Sequence, residues 1–166
     1  GVLYMRRGEV RVARPCAFWG RPEVTTLLLL SGGMGRRVGA EIPKQLLKLA
    51  GVPIMVHALR TADSIAAIET IIVNCPPGWD TQYVQILHNY AIRKPVSLVA
   101  AGRSRQASVA LMLNGVTSDH VLIHEAARPF ATRADFEALL GSPHDNVTAA
   151  LSIPFTVLER APEGDR

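Results

Sequence analysis

Cysteine is scarce in this 166-residue sequence. Only Cys16 and Cys75 occur, far apart and in unlike contexts, with neither a CxxC spacing nor the density of a small disulfide scaffold, so the expectation is a protein of the reducing cytoplasm. Long apolar runs are missing too. Runs such as Leu27 to Leu30, behind Val24 and two threonines, fall far short of the roughly 20 residues of a membrane span, and no hydrophobic signal segment opens the sequence. A soluble protein with no membrane partner is expected. There is no Gly-Lys pair for a Walker loop, no GxSxG elbow and no Ser-His-Asp arrangement, which removes support for P-loop and serine-hydrolase chemistry. The histidines at 57, 88, 120, 124 and 144 lie in different segments without ligand spacing to a cysteine. His120 and His124 share one face of an extended segment but read as flanking a strand end, which disfavours a zinc site.

Charge is localised. Arg6, Arg7, Arg11, Arg14 and Arg21 against Glu9 account for the whole net charge of +4, so residues 1–22 form a basic leader and the remainder is neutral. The leader has no clear helical or strand period and reads as a flexible extension, a non-native remnant, or a targeting-like leader with Met5 as the natural start. A few arginines around Pro15 and Pro22 do not make a nucleic-acid surface, and no nucleic-acid partner is expected. With 48% hydrophobic and 19% charged residues, positions 23–166 suffice for one domain with one sizeable core.

That domain alternates two kinds of segment. "VTTLLLL" (24–30), "ETIIVNC" (69–75), "PVSLVAA" (95–101), "DHVLIHE" (119–125) and "NVTAALSI" (146–153) are short apolar runs bounded by Gly, Pro or polar residues, as buried strands are. Between them, "PIMVHALRTADSIA" (53–66) sets Met55, Leu59, Ala62 and Ala66 near one helical face, "DTQYVQILHNYAI" starts at Asp80, and "SRQASVALMLNGV" ends on the stop signal Asn114-Gly115. "TRADFEALLG" carries a capping box, Thr132 with Asp135, and closes on Gly141. Repeated β-α units with non-alternating strands predict an α/β fold: a largely parallel sheet with helices on both faces and functional loops at the strands' carboxyl ends.

"LSGGMGRRVGAEIPKQ" follows the first strand and falls at that edge. Gly32, Gly33 and Gly35 allow close backbone approach and suit a cradle for phosphate oxygens. A dinucleotide fingerprint aligned on Gly33 and Gly35 would need glycine at Val38, where there is none. What remains is Arg36, Arg37 and Lys44 with only Glu41 against them, a cation set suited to a triphosphate and its pentacovalent transition state. Taken singly, the glycines equally serve to turn a strand into a helix, the arginines to solvate a surface, and Lys44 after Pro43 to start a helix.

The same stretch resembles the signature LAAGxGxR(x)nPKQ of the 2-C-methyl-D-erythritol 4-phosphate cytidylyltransferase family, which includes ribitol-5-phosphate cytidylyltransferase-like members. "AAGRSRQASVALML" (100–113) is similar to its GGxxRxxSVxxGL segment and "VLIHEAARPF" (121–130) to its VLVHDAARPF. The resemblance implies a Rossmann-like three-layer sandwich with a mixed, mostly parallel sheet, of the nucleotide-diphosphosugar transferase kind. It implies CTP and a polyol phosphate as partners, Mg²⁺ as cofactor, and homodimers. Arg37 and Lys44 match the catalytic pair that stabilises charge as a phosphate attacks the α-phosphorus of CTP. Ser31, Gly32 and Gly33 would face cytosine and ribose, with Gly35 and Arg36 around the triphosphate. Gly102, Arg105 and Ser108 match nucleotide contacts, Ala126 a ribose contact, and Glu125 the acidic Mg²⁺ ligand. Arg128 would shape the adjoining loop, and Arg103 receives no role.

This sequence also departs from the family pattern. Glu125 stands where the family has aspartate, and in "IPFTVLER" Val157 and Leu158 stand where Asp and Thr of the PVxDT segment occur. Family members also continue beyond the position of Arg166, so the family's C-terminal part is expected to be lacking here. The acceptor therefore stays open between methylerythritol phosphate, an isoprenoid precursor and first choice, and ribitol phosphate or another polyol phosphate or phosphonate. A nucleotide-binding homologue without chemistry is the alternative from another class, and NAD-dependent reduction is disfavoured by the failed fingerprint.

Overall fold

The computed structural model describes residues 3–6, by backbone alone, together with 24–34 and 42–150. Gly35, Arg36 and Arg37, and the segment "IPFTVLER", lie outside the described residues. In chain order the strands and helices are β1 (Leu3–Arg6), β2 (Thr25–Leu30), β3 (Lys48–Leu49), β4 (Val52–Pro53), α1 (Ile54–Asp63), β5 (Ile68–Cys75), α2 (Asp80–Asn89), β6 (Val96–Ala100), α3 (Arg105–Leu113), β7 (His120–Glu125), α4 (Arg133–Leu140) and β8 (Asn146–Thr148). A 3-10 turn, Lys44–Leu46, precedes the small β3–β4 hairpin. No described helix is long and apolar enough to cross a membrane.

The main sheet has the order β6-β5-β2-β7-β1-β8. The strands β6, β5, β2 and β7 run parallel, and β1 is antiparallel to both β7 and β8. The mixed, mostly parallel sheet is the expected one. Strand β1 was not expected: its four residues fall in the basic leader, and so short a stretch carries no period to read. In register it pairs Leu3 with Ile123 on one side and Thr148 on the other.

Alternation along the strands makes two cores. Leu27, Leu29, Ile71, Val73 and Leu122 point to one face, where Met55, Val56, Leu59 and Ala62 of α1, Tyr83 of α2 and Phe136 of α4 cover them. Leu28, Ile72, Val121 and Ile123 point to the other, beneath Met112 of α3 and Val116. The result is three layers, helices on both faces of one sheet. The inner strands of the parallel set, β2, β5 and β7, are largely apolar on both sides because both sides are covered, whereas β6 at the sheet edge is only partly buried.

Helix boundaries follow local chemistry. The capping box forms at α4: Asp135 N–H donates to Thr132 Oγ1 at 3.2 Å while Thr132 N–H donates to Asp135 Oδ2 at 2.8 Å. The Ser104 hydroxyl caps α3 by accepting from Ala107 N at 3.0 Å. Helix α1 ends at Asp63, earlier than its sequence period suggests, so Ala66 is exposed and Ile65 fills the core instead. His120 and His124 lie inside β7, not beyond its end, and both are buried. His124 donates from Nε2 to the Arg128 carbonyl at 3.0 Å, and its ring meets Phe136 edge-on.

Candidate functional site

The carboxyl ends of β2, β5, β6 and β7 open onto a cleft of about 450 Å³, lined by Leu30, Ser31, Gly32, Gly33, Lys44, Gln45, Asn74, Gly102, Arg103, Ser104, Arg105, Ser108, Glu125 and Ala127. Parallel sheets place ligand crevices at this edge, where the strands stop and their loops diverge. The three motifs singled out in the sequence come from β2, from the β6–α3 junction and from β7, and they meet at this one edge.

Beneath the β2 loop lies a buried polar network. Ser31 N–H donates to Asn74 Oδ1 at 2.6 Å, and the Tyr83 hydroxyl donates to the Ser31 carbonyl at 2.8 Å. With that proton committed, the Ser31 hydroxyl, 2.8 Å away, donates to the Tyr83 oxygen. Gln45 Nε2 reaches the Ser31 carbonyl, the Gly33 carbonyl at 3.1 Å and the Tyr83 oxygen at 2.9 Å. Ser31, Gln45, Asn74 and Tyr83 are each at most 2% exposed. Burial pushes the Tyr83 phenol up to about 12, against the lowering pull of its bonds to Ser31 and Gln45, so it remains a neutral donor. All three polar groups of Ser31 thus take part in support of the loop from below. Gly32 and Gly33 carry the loop's exposed backbone.

Gly32 has a steric reason to be glycine. A Cβ there would collide with the Ala101 side chain and lie 2.7 Å from Asn74 Nδ2. Gly102 has a stronger one, because its Cβ would fall 2.7 Å from both the Ala107 carbonyl carbon and the Ser108 nitrogen, which are backbone atoms. Its own N–H donates to Ser108 Oγ at 3.0 Å, which binds the end of β6 to the first turn of α3. Ser108 is buried there and holds backbone, leaving its hydroxyl proton free to be donated.

Across the cleft, Glu125 ends β7 with its carboxylate held between two guanidinium groups. Arg128 Nε lies 2.9 Å from Oε2 and Arg105 Nε 3.5 Å from Oε1, with the Glu125 side chain 33% exposed. Burial pulls this carboxyl upward, but the hydrogen bond and charge of Arg128, joined by Arg105, outweigh it and hold Glu125 below the usual carboxylate range. A half-buried carboxylate at a strand end needs a partner, and these arginines supply it. Ala126 does not line the cleft: its side chain is fully buried in the core, its N–H donates to the Leu30 carbonyl at 2.9 Å, and Ala127 faces the opening instead.

Of the residues expected from the sequence, Ser31, Gly32, Gly33, Lys44, Gly102, Arg105, Ser108 and Glu125 are brought together here. Gln45, Asn74 and Tyr83 were not singled out, and neither were Arg103 and Ser104 on the cleft wall. Gln45, Arg103 and Ser104 stood inside quoted family motifs. Asn74 and Tyr83 act through backbone atoms of a loop about 40 to 50 residues earlier, and no spacing in the sequence marks such a bond.

The chain matches the family of 2-C-methyl-D-erythritol 4-phosphate cytidylyltransferase over residues 25–160. It is 38% identical over 140 residues to the 2-C-methyl-D-erythritol 4-phosphate cytidylyltransferase of Chlamydia pneumoniae, covering 83% of this chain and 63% of that protein. To the chloroplastic 2-C-methyl-D-erythritol 4-phosphate cytidylyltransferase of Oryza sativa subsp. japonica it is 33% identical over 131 residues, covering 78% and 43%. Among solved structures, 4-diphosphocytidyl-2C-methyl-D-erythritolsynthase from Anaerococcus prevotii shares the fold, with a TM-score of 0.61 at 20% identity over 72% of this chain and 50% of that one. The chain therefore spans less than two thirds of the length of these relatives.

Proposed function

Because the chain belongs to the 2-C-methyl-D-erythritol 4-phosphate cytidylyltransferase family, we propose that its cleft binds CTP and that it transfers a cytidylyl group to a sugar-alcohol phosphate, methylerythritol phosphate before others. The observation that supports this reading is the convergence on one cleft of the glycine loop with Lys44, the Gly102 turn with Arg105, and the Glu125 strand end.

A phosphate oxygen of the acceptor attacks the α-phosphorus of CTP, the bond from α-phosphorus to its bridging oxygen breaks, and pyrophosphate leaves with the released electron pair. A phosphate monoester is already an adequate nucleophile near neutral pH, so the protein's task is positioning and charge neutralisation. Lys44 enters the cleft on the rigid 3-10 turn behind Pro43 and would stabilise the charge that grows on the triphosphate. Arg37, outside the described residues, is proposed as its partner, with Gly35 and Arg36 beside the triphosphate. The Gly32, Gly33 and Gly102 backbone and the Ser108 hydroxyl would hold the nucleoside.

Glu125 fits a Mg²⁺ site of the kind made by one carboxylate with substrate phosphates and water: it is ionised, borders the cleft, and among the described residues its Oε1 makes the long contact to Arg105. Bound there through Glu125, the ion would neutralise phosphate charge. A homodimer, which rests on the resemblance and is open to light scattering, and a cytoplasmic location, which rests on the sparse, unpaired cysteines, complete the proposal. The test is pyrophosphate release with Mg²⁺, CTP and methylerythritol phosphate, against ATP, GTP and UTP. CTP-selective, acceptor-dependent release is expected; release that ignores the base or the acceptor contradicts the reading.

A further inference from the structure

We propose that Gln45 and Tyr83 are positioning residues that aim the backbone donors of the glycine loop at the nucleotide and fix Lys44 beside them, an inference that rests on the CTP-binding reading of the cleft. Gln45 follows Lys44 directly, and its amide bonds the Ser31 and Gly33 carbonyls on the far side of the loop. One side chain therefore ties the 3-10 turn that carries Lys44 to the two peptide units on which the loop begins.

The orientation of those peptide units follows. In a planar trans peptide the carbonyl of one residue and the N–H of the next point in opposite directions. Drawing the Ser31 and Gly33 carbonyls down onto Gln45 and Tyr83 turns the Gly32 and Met34 N–H groups the other way, out of the buried network. Backbone N–H groups turned outward in this way are available to donate to an anion. Tyr83 reaches the same carbonyl from α2, a third segment of the chain, so the loop's base is held from both its own sequence neighbourhood and the opposite helix. A leucine or phenylalanine at these positions would fill the space, but only a donor turns the carbonyls.

The test compares CTP affinity by titration calorimetry in the parent chain, Gln45→Met, Tyr83→Phe and Asp63→Ala. Methionine keeps the volume of Gln45 and phenylalanine the ring of Tyr83, so packing survives while the donors go. Asp63 lies on α1 away from the cleft and supplies a variant destabilised without touching the loop. Expected is a loss of CTP affinity of about tenfold in each of the first two, the scale of one lost buried hydrogen bond, with parent affinity in the third. In turnover the first two raise KM for CTP while KM for the acceptor stays at the parent value. Parent-like CTP affinity in both Gln45→Met and Tyr83→Phe, or an equal loss in Asp63→Ala, overturns the positioning role. A parent chain that binds no CTP overturns the functional reading instead, and this inference with it.

Discussion

Lys44 and Gly102 show how differently two residues of one cleft respond to change. Lys44 is half-buried on the cleft wall, so Lys44→Ala removes charge without emptying a core. Turnover should fall by about 10²- to 10³-fold, the usual effect of losing one preorganised charge donor, with the thermal midpoint nearly unchanged. Steady-state rates and a melting curve on the same sample check both halves, and an unchanged rate would remove Lys44 from the chemistry. Gly102→Ala acts on stability. Its Cβ would press on backbone of α3, which cannot move without shifting the helix start, so a loss of about 1–3 kcal/mol is expected in denaturant unfolding. Stability equal to the parent would mean that the β6–α3 junction is looser than its geometry indicates.

At the scale of elements, Asp63 connects the end of α1 to the segment entering β6. Its carboxylate accepts from the backbone N–H of Arg93 at 3.0 Å and of Lys94 at 2.9 Å, and from Arg93 Nε at 3.0 Å. Burial pulls this carboxyl upward, but those bonds and the Arg93 charge outweigh it, so the folded value lies below the ordinary 3.8. A carboxyl depressed on folding contributes stability that is present above its unfolded value and lost as pH falls through the folded one. Asp63→Ala should therefore cost about 1–3 kcal/mol at neutral pH, with the gap from the parent closing below the ordinary 3.8. A gap that stays constant into acid would place its origin in packing. Elements of this kind were largely legible in the sequence. The inner strands beneath two helical layers are largely apolar, and Thr132 with Asp135 caps α4 through short-range bonds that a four-residue window contains. The β3–β4 hairpin was not legible, because two-residue strands have no period and its turn places Ala50 at φ 50°, a conformation its side chain does not advertise.

For the molecule as a whole, the site was legible where one motif carries both position and chemistry, as with Gly32, Lys44 and Glu125. It was illegible where the chemistry arises only when distant elements meet. Tyr83 reads as an ordinary apolar position of α2, and only folding brings its hydroxyl under Ser31. The resemblance put a ribose contact at Ala126, but the path of the chain leaving β7 sends Ala126 into the core and Ala127 to the cleft. The assembled cleft carries Lys44, Arg103 and Arg105 on its wall against Glu125, so CTP affinity should weaken as ionic strength rises, which calorimetry across a salt series would register. The most direct measurement of the central claim is a CTP titration followed by the backbone amide resonances of the chain. Shifts centred on Gly32, Gly33 and Gly102, saturating with CTP and much smaller with NADH, are expected; amides at that edge left unmoved by CTP would contradict a nucleotide site in this cleft.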